Sequence, residues 1–169
     1  MDNEHQHEYE SRVWYFAYGS NLHRSIFIEQ RKMNPLATRW GWLDGYRLCF
    51  NIPVGDGERG VANIELETSA RTCGALYLVS TEQAEHLDRT EGVNFGIYRR
   101  LQIEVVTEGN ERVAAFAYQS TLTTNGRKPS PRYMGLLLDG AQQHGLPAGW
   151  VEFLRSFDLA VDERRREQQ

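Results

Sequence analysis

The sequence predicts an α+β domain whose sheet curls into a small six-stranded barrel. Three observations support this: six strand-like runs recur along the chain, helix-forming segments gather after the last of them, and one further helix lies between strands. Such an order differs from the regular strand and helix alternation of parallel α/β folds. The strand-like runs are residues 13–18, 38–52, 61–66, 72–79, 97–107 and 112–119.

The chain is long enough for one domain, which we predict over residues 12–158. Of its 169 residues, 40% are apolar and 11% aromatic, which is sufficient for a buried core. The segments 1–11 and 159–169 are densely charged and lack apolar periodicity, so we predict flexible tails there. His5 and His7 have no cysteine or carboxylate partner at ligand spacing, and we predict no metal site.

Charge and hydropathy limit the classes of partner. Lys and Arg total 19 against 23 for Asp and Glu, a formal net charge of -4 without a basic stripe, so nucleic-acid binding is disfavoured. No run approaches the ~18 apolar residues of a membrane span, and the N-terminus is not signal-like. Cys49 and Cys73 lie singly in strand segments and are predicted to be buried thiols. We expect a cytoplasmic protein that is a monomer or a weak homodimer.

Turn and cap signals separate the elements. Glu108-Gly109-Asn110 predicts a hairpin, and the Gly-rich segment 55–60 predicts a mobile hairpin because it lacks the Lys-Ser/Thr of a phosphate loop. Ser80–Gln83 has the spacing of a capping box, and the short helix that follows is predicted to end at Gly92. A second helix is predicted from Ser130-Pro131 to Gly145, and a third from Pro147.

The polar segment Tyr18–Leu22 follows the apolar run 13–17, where a strand is predicted to end. Gly19 lets the chain turn, while Ser20 and Asn21 can cap a helix or present donors to a ligand. If a helix follows, backbone N–H groups of this loop form an anion or oxyanion cradle. The alternative is a turn that only joins two elements. Ser20 is a poor candidate nucleophile because no glycine follows two positions later, as in hydrolase elbows.

Glu91 is the strongest candidate for acid–base chemistry. It lies in the last turn of the first predicted helix, where the helix dipole disfavours negative charge and favours a proton-seeking carboxylate. Partial burial beside aromatic side chains raises a carboxylate pKa toward neutrality, as a general base requires. The alternative is an exposed helix-terminal glutamate. Gly92 and the aromatic-rich segment 95–98 favour a shaped pocket wall instead.

Several motifs together resemble the gamma-glutamylcyclotransferase family over residues 13–157. The motifs are Phe16-Ala17-Tyr18-Gly19-Ser20-Asn21-Leu22, Leu87-Asp88 with Glu91-Gly92-Val93 and Tyr98, Pro129-Ser130-Pro131-Arg132-Tyr133, and Gly145-Leu146-Pro147. The first motif is shared with branches that act on gamma-glutamyl amines, glutathione or gamma-glutamylated antibiotic intermediates. The Glu-Gly-Val to Tyr spacing and the Pro-Ser-Pro segment resemble the branch that acts on gamma-glutamyl amino acids.

The resemblance implies a mixed β-barrel with helices packed around it and a reaction that releases 5-oxoproline. In this reaction the α-amine of a gamma-glutamyl group attacks its own side-chain amide and expels an amino acid, with Glu91 as the implied general base. The implied substrate-binding residues are Tyr18, Gly19, Ser20, Asn21, Leu22 and Tyr98. No cofactor or metal is implied. Two alternatives stay open: the same chemistry on gamma-glutamyl amines or metabolites, and a catalytically inert small-molecule binding module.

Overall fold

The computed structural model describes residues 11–161 and has a closed barrel at its centre. The strands are β1 (Arg12–Ala17), β2 (Ala37–Pro53), β3 (Gly60–Ser80), β4 (Arg99–Thr107) and β5 (Arg112–Gln119). Around the barrel they follow the order β1-β3-β2-β4-β5. Neighbouring strands pair antiparallel except β1 and β5, which pair in parallel where Tyr15 faces Phe116. The predicted α+β fold with a small mixed barrel is confirmed.

The barrel has five strands, so the predicted number of six is wrong. The predicted strands 61–66 and 72–79 are parts of the single 21-residue strand β3. Between them the segment 67–70, exposed at residues 67–69, contains neither Gly nor Pro, and it bulges out of register instead of turning the chain. Pairing with β2 resumes beyond the bulge, because Asp44 faces Arg71 after Tyr46 faces Leu66.

Three α-helices pack outside the barrel, as predicted. They are α1 (Thr81–Thr90), α2 (Pro131–Gln143) and α3 (Ala148–Arg155). The Ser80 Oγ accepts the Gln83 N–H at 3.1 Å, and the Ser130 Oγ accepts the Tyr133 N–H at 3.0 Å, which confirms both predicted caps. Shorter turns complete the chain: 3-10 turns at Ser20–Leu22 and Val93–Phe95 and a π-helix at Ser25–Gln30.

Aromatic and aliphatic side chains fill the core. Phe27 from the π-helix stacks on Tyr77 with ring centroids 4.0 Å apart, and Tyr15 packs against Phe116 at 5.3 Å. Cys49 and Cys73 are free and buried, and burial raises their thiol pKa values to about 11 and about 12, so both stay protonated. The largest fully buried side chains are Phe16, Phe27, Phe116, Leu22, Leu43, Ile64, Leu76, Leu87, Leu137 and Leu154.

Packed structure extends slightly beyond the predicted domain limits. Ala160, assigned to the flexible tail 159–169, is buried, and its N–H donates to the Pro129 carbonyl at 2.9 Å. The Ser11 carbonyl accepts the Thr81 N–H at 2.9 Å. The predictions for residues 1–10, including the histidine pair, and for residues 162–169 lie outside the described part of the chain. Within residues 11–161, every helix is too short or too polar to span a lipid bilayer.

Candidate functional site

One pocket collects most of the residues that the sequence singled out. It opens between the loop after β1, the start of β3, the end of α1 and the first turn of α2. Its lining residues are Tyr15, Tyr18, Gly19, Ser20, Asn21, Ala62, Glu91, Tyr98, Tyr118 and Tyr133. The two segments that were predicted to cooperate, the loop after β1 and Glu91, therefore meet although they are far apart in sequence.

The loop after β1 fits closely against its neighbours. The backbone tightens into a 3-10 turn in which the Leu22 N–H donates to the Gly19 carbonyl at 3.0 Å. A Cβ atom at Gly19 would lie 3.1 Å from both the Ala62 Cβ and the Tyr133 hydroxyl. A glycine is therefore favoured here, because any larger residue would push on two other elements, and the loop is held against the pocket wall.

Leu22 does not line the pocket, so its predicted substrate-binding role is corrected. Its side chain is fully buried, and a Cβ at Gly140 of α2 would lie 2.7 Å from it. Leu22 anchors the loop to α2 through apolar packing, because the 3-10 turn rotates its side chain inward. The Leu22 carbonyl also accepts a hydrogen bond from His144 Nε2 at 2.9 Å.

Local sequence signals fix the position of Glu91 at the end of α1. The Glu91 N–H donates to the Leu87 carbonyl at 2.9 Å, and Gly92 then reverses the chain with a φ of +69°. A Cβ at Gly92 would lie 2.8 Å from the Ile97 Cδ1, so the returning segment packs tightly on this turn. The Glu91 side chain is only 10% exposed, which excludes the exposed helix-terminal alternative.

The carboxylate of Glu91 is held by one oxygen. Its Oε1 accepts the Asn21 Nδ2–H at 2.9 Å and lies 3.5 Å from the Arg31 NH2. Its Oε2 accepts no hydrogen bond from residues 11–161 and is not among their fully buried unpaired atoms. Burial raises the Glu91 pKa, while Arg31 and the Asn21 hydrogen bond lower it in part. The site therefore presents a desolvated, proton-seeking carboxylate with one oxygen available to a ligand.

Asn21 lines the pocket, but its amide is already occupied. Its Nδ2 donates to the Tyr15 hydroxyl and to Glu91, each at 2.9 Å, and its Oδ1 accepts the Arg31 Nε–H at 2.7 Å. Both amide hydrogens are thus committed within the protein. The Asn21 side chain orients the carboxylate and leaves no free donor for a substrate.

The hydroxyls of four tyrosines that line the pocket differ in which group accepts their proton. Tyr18 donates to the Tyr118 carbonyl, Tyr118 donates to Asp88 Oδ1 at 2.6 Å, and Tyr98 donates to the Ala62 carbonyl at 3.4 Å. The Tyr133 hydroxyl instead accepts the Ala62 N–H at 3.1 Å. Within the described chain its proton is given to no acceptor, so Tyr133 can donate into the pocket.

Burial raises the pKa of Tyr133 to about 12, although hydrogen bonds from the Ala62 and Ser20 backbones and from the Ser20 side chain oppose this rise. The hydroxyl therefore stays protonated at neutral pH and remains a donor. Ser20 lies beside it on the pocket wall. No histidine of residues 11–161 lines this pocket, and His23 Nδ1 is engaged with the Ser25 hydroxyl at 2.7 Å, so Ser20 lacks a base partner.

The mouth of the pocket is cationic. A neighbouring cleft shares Ser20, Glu91, Tyr98 and Tyr133 with the pocket and adds Arg31 and Arg89, together with Val61, Thr90, Gly92 and Ile97. Arg89 is exposed and makes no ion pair within the described residues. An anionic group bound in this cleft could therefore interact with the Arg89 guanidinium.

The sequence analysis missed Tyr15, Arg31, Ala62, Tyr118 and Tyr133 as site residues. The clearest indication in the sequence is for Tyr133, because this residue lies three positions after the N-cap Ser130 and therefore in the first turn of α2. The sequence contains no indication that Arg31 belongs to the site, since this residue follows a π-helix that no local pattern predicted.

Comparisons with known proteins show similarity over most of the chain. A family model described as the AIG2-like family matches residues 71–154. A gamma-glutamylcyclotransferase of Bos taurus is 28% identical over 148 residues, which are 85% of this chain and 78% of that protein. The Homo sapiens protein of the same name is 27% identical and covers 88% of this chain and 80% of its own length. A solved structure of a gamma-glutamyl cyclotransferase superposes with a TM-score of 0.80 at 24% identity, covering 92% of this chain and 93% of its own.

Proposed function

Since the chain belongs to the gamma-glutamylcyclotransferase family, we propose that it converts gamma-glutamyl amino acids to 5-oxoproline and a free amino acid, with Glu91 as general base. The observation that carries this proposal is the buried Glu91 carboxylate, which lines the pocket, is held at Oε1 by Asn21 and accepts no hydrogen bond at Oε2 from residues 11–161. A general base of this kind must be desolvated enough for its pKa to rise. It must also be held in an orientation from which it can accept a proton at one position.

The proposed reaction needs one proton acceptor and one site for developing negative charge. Glu91 Oε2 takes a proton from the α-ammonium, and the freed amine attacks the carbonyl carbon of the gamma-glutamyl amide. A C–N bond forms, which closes the five-membered ring, and the original amide C–N bond breaks. The departing nitrogen receives one proton from protonated Glu91 and a second proton that the ring nitrogen loses through Glu91, so the amino acid leaves as an ammonium, the ring nitrogen keeps one N–H and the enzyme ends unchanged.

Tyr133 is the best-placed donor for the tetrahedral oxygen. Its hydroxyl is fixed by the Ala62 N–H and keeps an uncommitted proton. A preorganised donor of this kind contributes roughly 10²- to 10³-fold to a rate, because it needs no reorientation when charge develops. Tyr18, Gly19, Ser20 and Tyr98 complete the substrate-binding wall in this proposal, and Asn21 acts on the base.

Ring closure is intramolecular, so the protein has to fold the substrate and does not have to bring two molecules together. The tight fit of Gly19 against Ala62 and Tyr133 narrows the pocket at the loop. We infer that this narrow wall selects the bent conformer in which the amine faces its own amide carbon.

The cationic mouth supports an amino acid as the leaving group. After the gamma-glutamyl part has entered the inner pocket, the leaving group lies in the cleft that contains Arg89, whose guanidinium makes no ion pair within the described residues. A carboxylate there gains an interaction that a neutral or cationic amine does not. A gamma-glutamyl amine carries no leaving-group carboxylate and would gain no such interaction.

A substrate panel tests the proposal. The purified full chain is incubated with gamma-glutamyl amino acids, gamma-glutamyl amines and glutathione, and 5-oxoproline is measured while thermal shifts report binding. We expect the highest kcat/KM for gamma-glutamyl amino acids. A higher kcat/KM for gamma-glutamyl amines would show that amines, and not amino acids, are the preferred leaving groups. Thermal stabilisation without any 5-oxoproline would instead support the inert binding module.

A further inference from the structure

We propose that Arg31 is a positioning residue for Glu91, which it acts on both directly and through Asn21. This proposal rests on the proposed function, since Arg31 is proposed to keep the base Glu91 ionised and correctly oriented. It draws on a residue that no sequence motif indicated and that lies outside the loop after β1.

Arg31 closes a three-residue network. Its Nε–H donates to the Asn21 Oδ1 at 2.7 Å, the Asn21 Nδ2 donates to the Glu91 Oε1 at 2.9 Å, and the Arg31 NH2 lies 3.5 Å from the same Oε1. The planar guanidinium makes these contacts from different edges, which an ammonium cannot reproduce. Oε1 is therefore fixed from two directions and Oε2 stays available for the α-ammonium of a substrate.

The backbone of Arg31 is tied to the helix that bears Glu91. The Arg31 carbonyl accepts the His86 Nε2–H at 2.8 Å, and the Arg31 NH1 donates to the Thr90 carbonyl at 3.4 Å. Both contacts are with α1, and a cation beside the C-terminus of a helix is favoured by the helix dipole. Arg31 and Glu91 are thus held on one frame, so their separation does not depend on a flexible side chain alone.

Arg31 is the charge that matters most to Glu91 in the described chain. The other titratable groups that face the carboxylate are the hydroxyls of Tyr15, Tyr18, Tyr98 and Tyr133. Burial raises the pKa of each, so all four are neutral at physiological pH. Arg31 opposes the effect of burial on the Glu91 pKa through its positive charge.

Two variants separate charge from geometry. Arg31→Gln removes the positive charge, whereas Arg31→Lys keeps the charge and loses the planar fork. Because Arg31→Gln loses the planar fork as well as the charge, we expect the acidic limb of its kcat/KM profile to move to higher pH and its plateau to fall at least as far as that of Arg31→Lys. For Arg31→Lys we expect an unmoved limb and a plateau lowered roughly tenfold. Lys32→Gln, which removes a neighbouring exposed charge, serves as the matched control.

A second readout keeps this test independent of turnover. The Glu91 carboxyl is titrated by carbon-13 NMR in the wild type and in Arg31→Gln, with Glu91→Gln used to assign the signal. We expect the Glu91 pKa to be higher in Arg31→Gln. If the acidic limb of the kcat/KM profile and the Glu91 titration were the same in Arg31→Gln as in the wild type, the proposed role of Arg31 would be wrong. If the wild type made no 5-oxoproline at all, the proposed function would fail, while the titration would still decide whether Arg31 controls this carboxyl.

Discussion

The two walls of the pocket are built on different principles. On the wall formed by Glu91, Asn21 and Arg31, nearly every polar group is bonded to another, and one carboxylate oxygen is left open. On the facing wall the groups are neutral tyrosines, and Tyr133 keeps a donor proton. In the proposed reaction the first wall takes up a proton and the second stabilises negative charge.

Removing the base should have the largest effect. We expect Glu91→Gln to lower kcat by about 10³-fold or more, because a neutral amide cannot accept the ammonium proton. Release of 5-oxoproline measures this directly. Glu85→Gln, an exposed glutamate on the same helix, is the matched control. Near wild-type turnover by Glu91→Gln would refute the assignment of the base.

The same variant has a pH-dependent signature in stability. The folded-state pKa of Glu91 lies above its ordinary value of 4.5, so the folded protein binds this proton more tightly than the unfolded chain does. The contribution of Glu91 to stability is therefore present at low pH and is lost as pH rises through the raised pKa. We expect Glu91→Gln to melt no lower than wild type at neutral pH.

Removing the opposite donor should have the next largest effect. We expect Tyr133→Phe to lower kcat about 10²-fold while leaving the acidic limb of the pH profile in place. It also leaves the Ala62 N–H without its acceptor, which costs about 1–3 kcal/mol of stability, so rates are measured well below the melting temperature. Tyr98→Phe breaks only a 3.4 Å bond and should affect kcat less. Equal losses in both variants would contradict the special role of Tyr133.

A smaller effect is expected at the mouth. Arg89→Gln should raise KM for gamma-glutamyl amino acids about two- to fivefold without changing kcat, because an exposed charge pair contributes little. KM for a gamma-glutamyl amine should not change. A uniform rise in KM for both substrates would show that Arg89 does not recognise the leaving carboxylate.

The smallest effect is expected for Ser20→Ala, which should retain most of the activity. The Ser20 hydroxyl has no histidine partner in the pocket, and the backbone of the loop remains in place. Mass spectrometry of the wild type during turnover is the complementary measurement. Complete loss of activity together with a trapped acyl-enzyme would restore Ser20 as a nucleophile.

Local patterns in the sequence predicted the elements that carry the site. The capping box at Ser80 and the glycine at position 92 placed the end of α1, and with it Glu91, within one residue of its position in the structure. The apolar run before Gly19 placed the loop after β1. These signals succeed because caps and turns depend on neighbouring residues, which the sequence lists in order.

Tertiary structure alone decided how these parts meet. No local pattern brings Arg31, Asn21 and Glu91 into one network or leaves the Tyr133 hydroxyl with a free proton, since these contacts join residues up to about seventy positions apart. The continuity of β3 through residues 67–70 was likewise decided by pairing with β2, because residues 67–69 are polar and exposed. The sequence thus determined which residues end the strands and helices. Barrel closure determined which of them became partners, because a hydrogen bond depends on distance and direction in space.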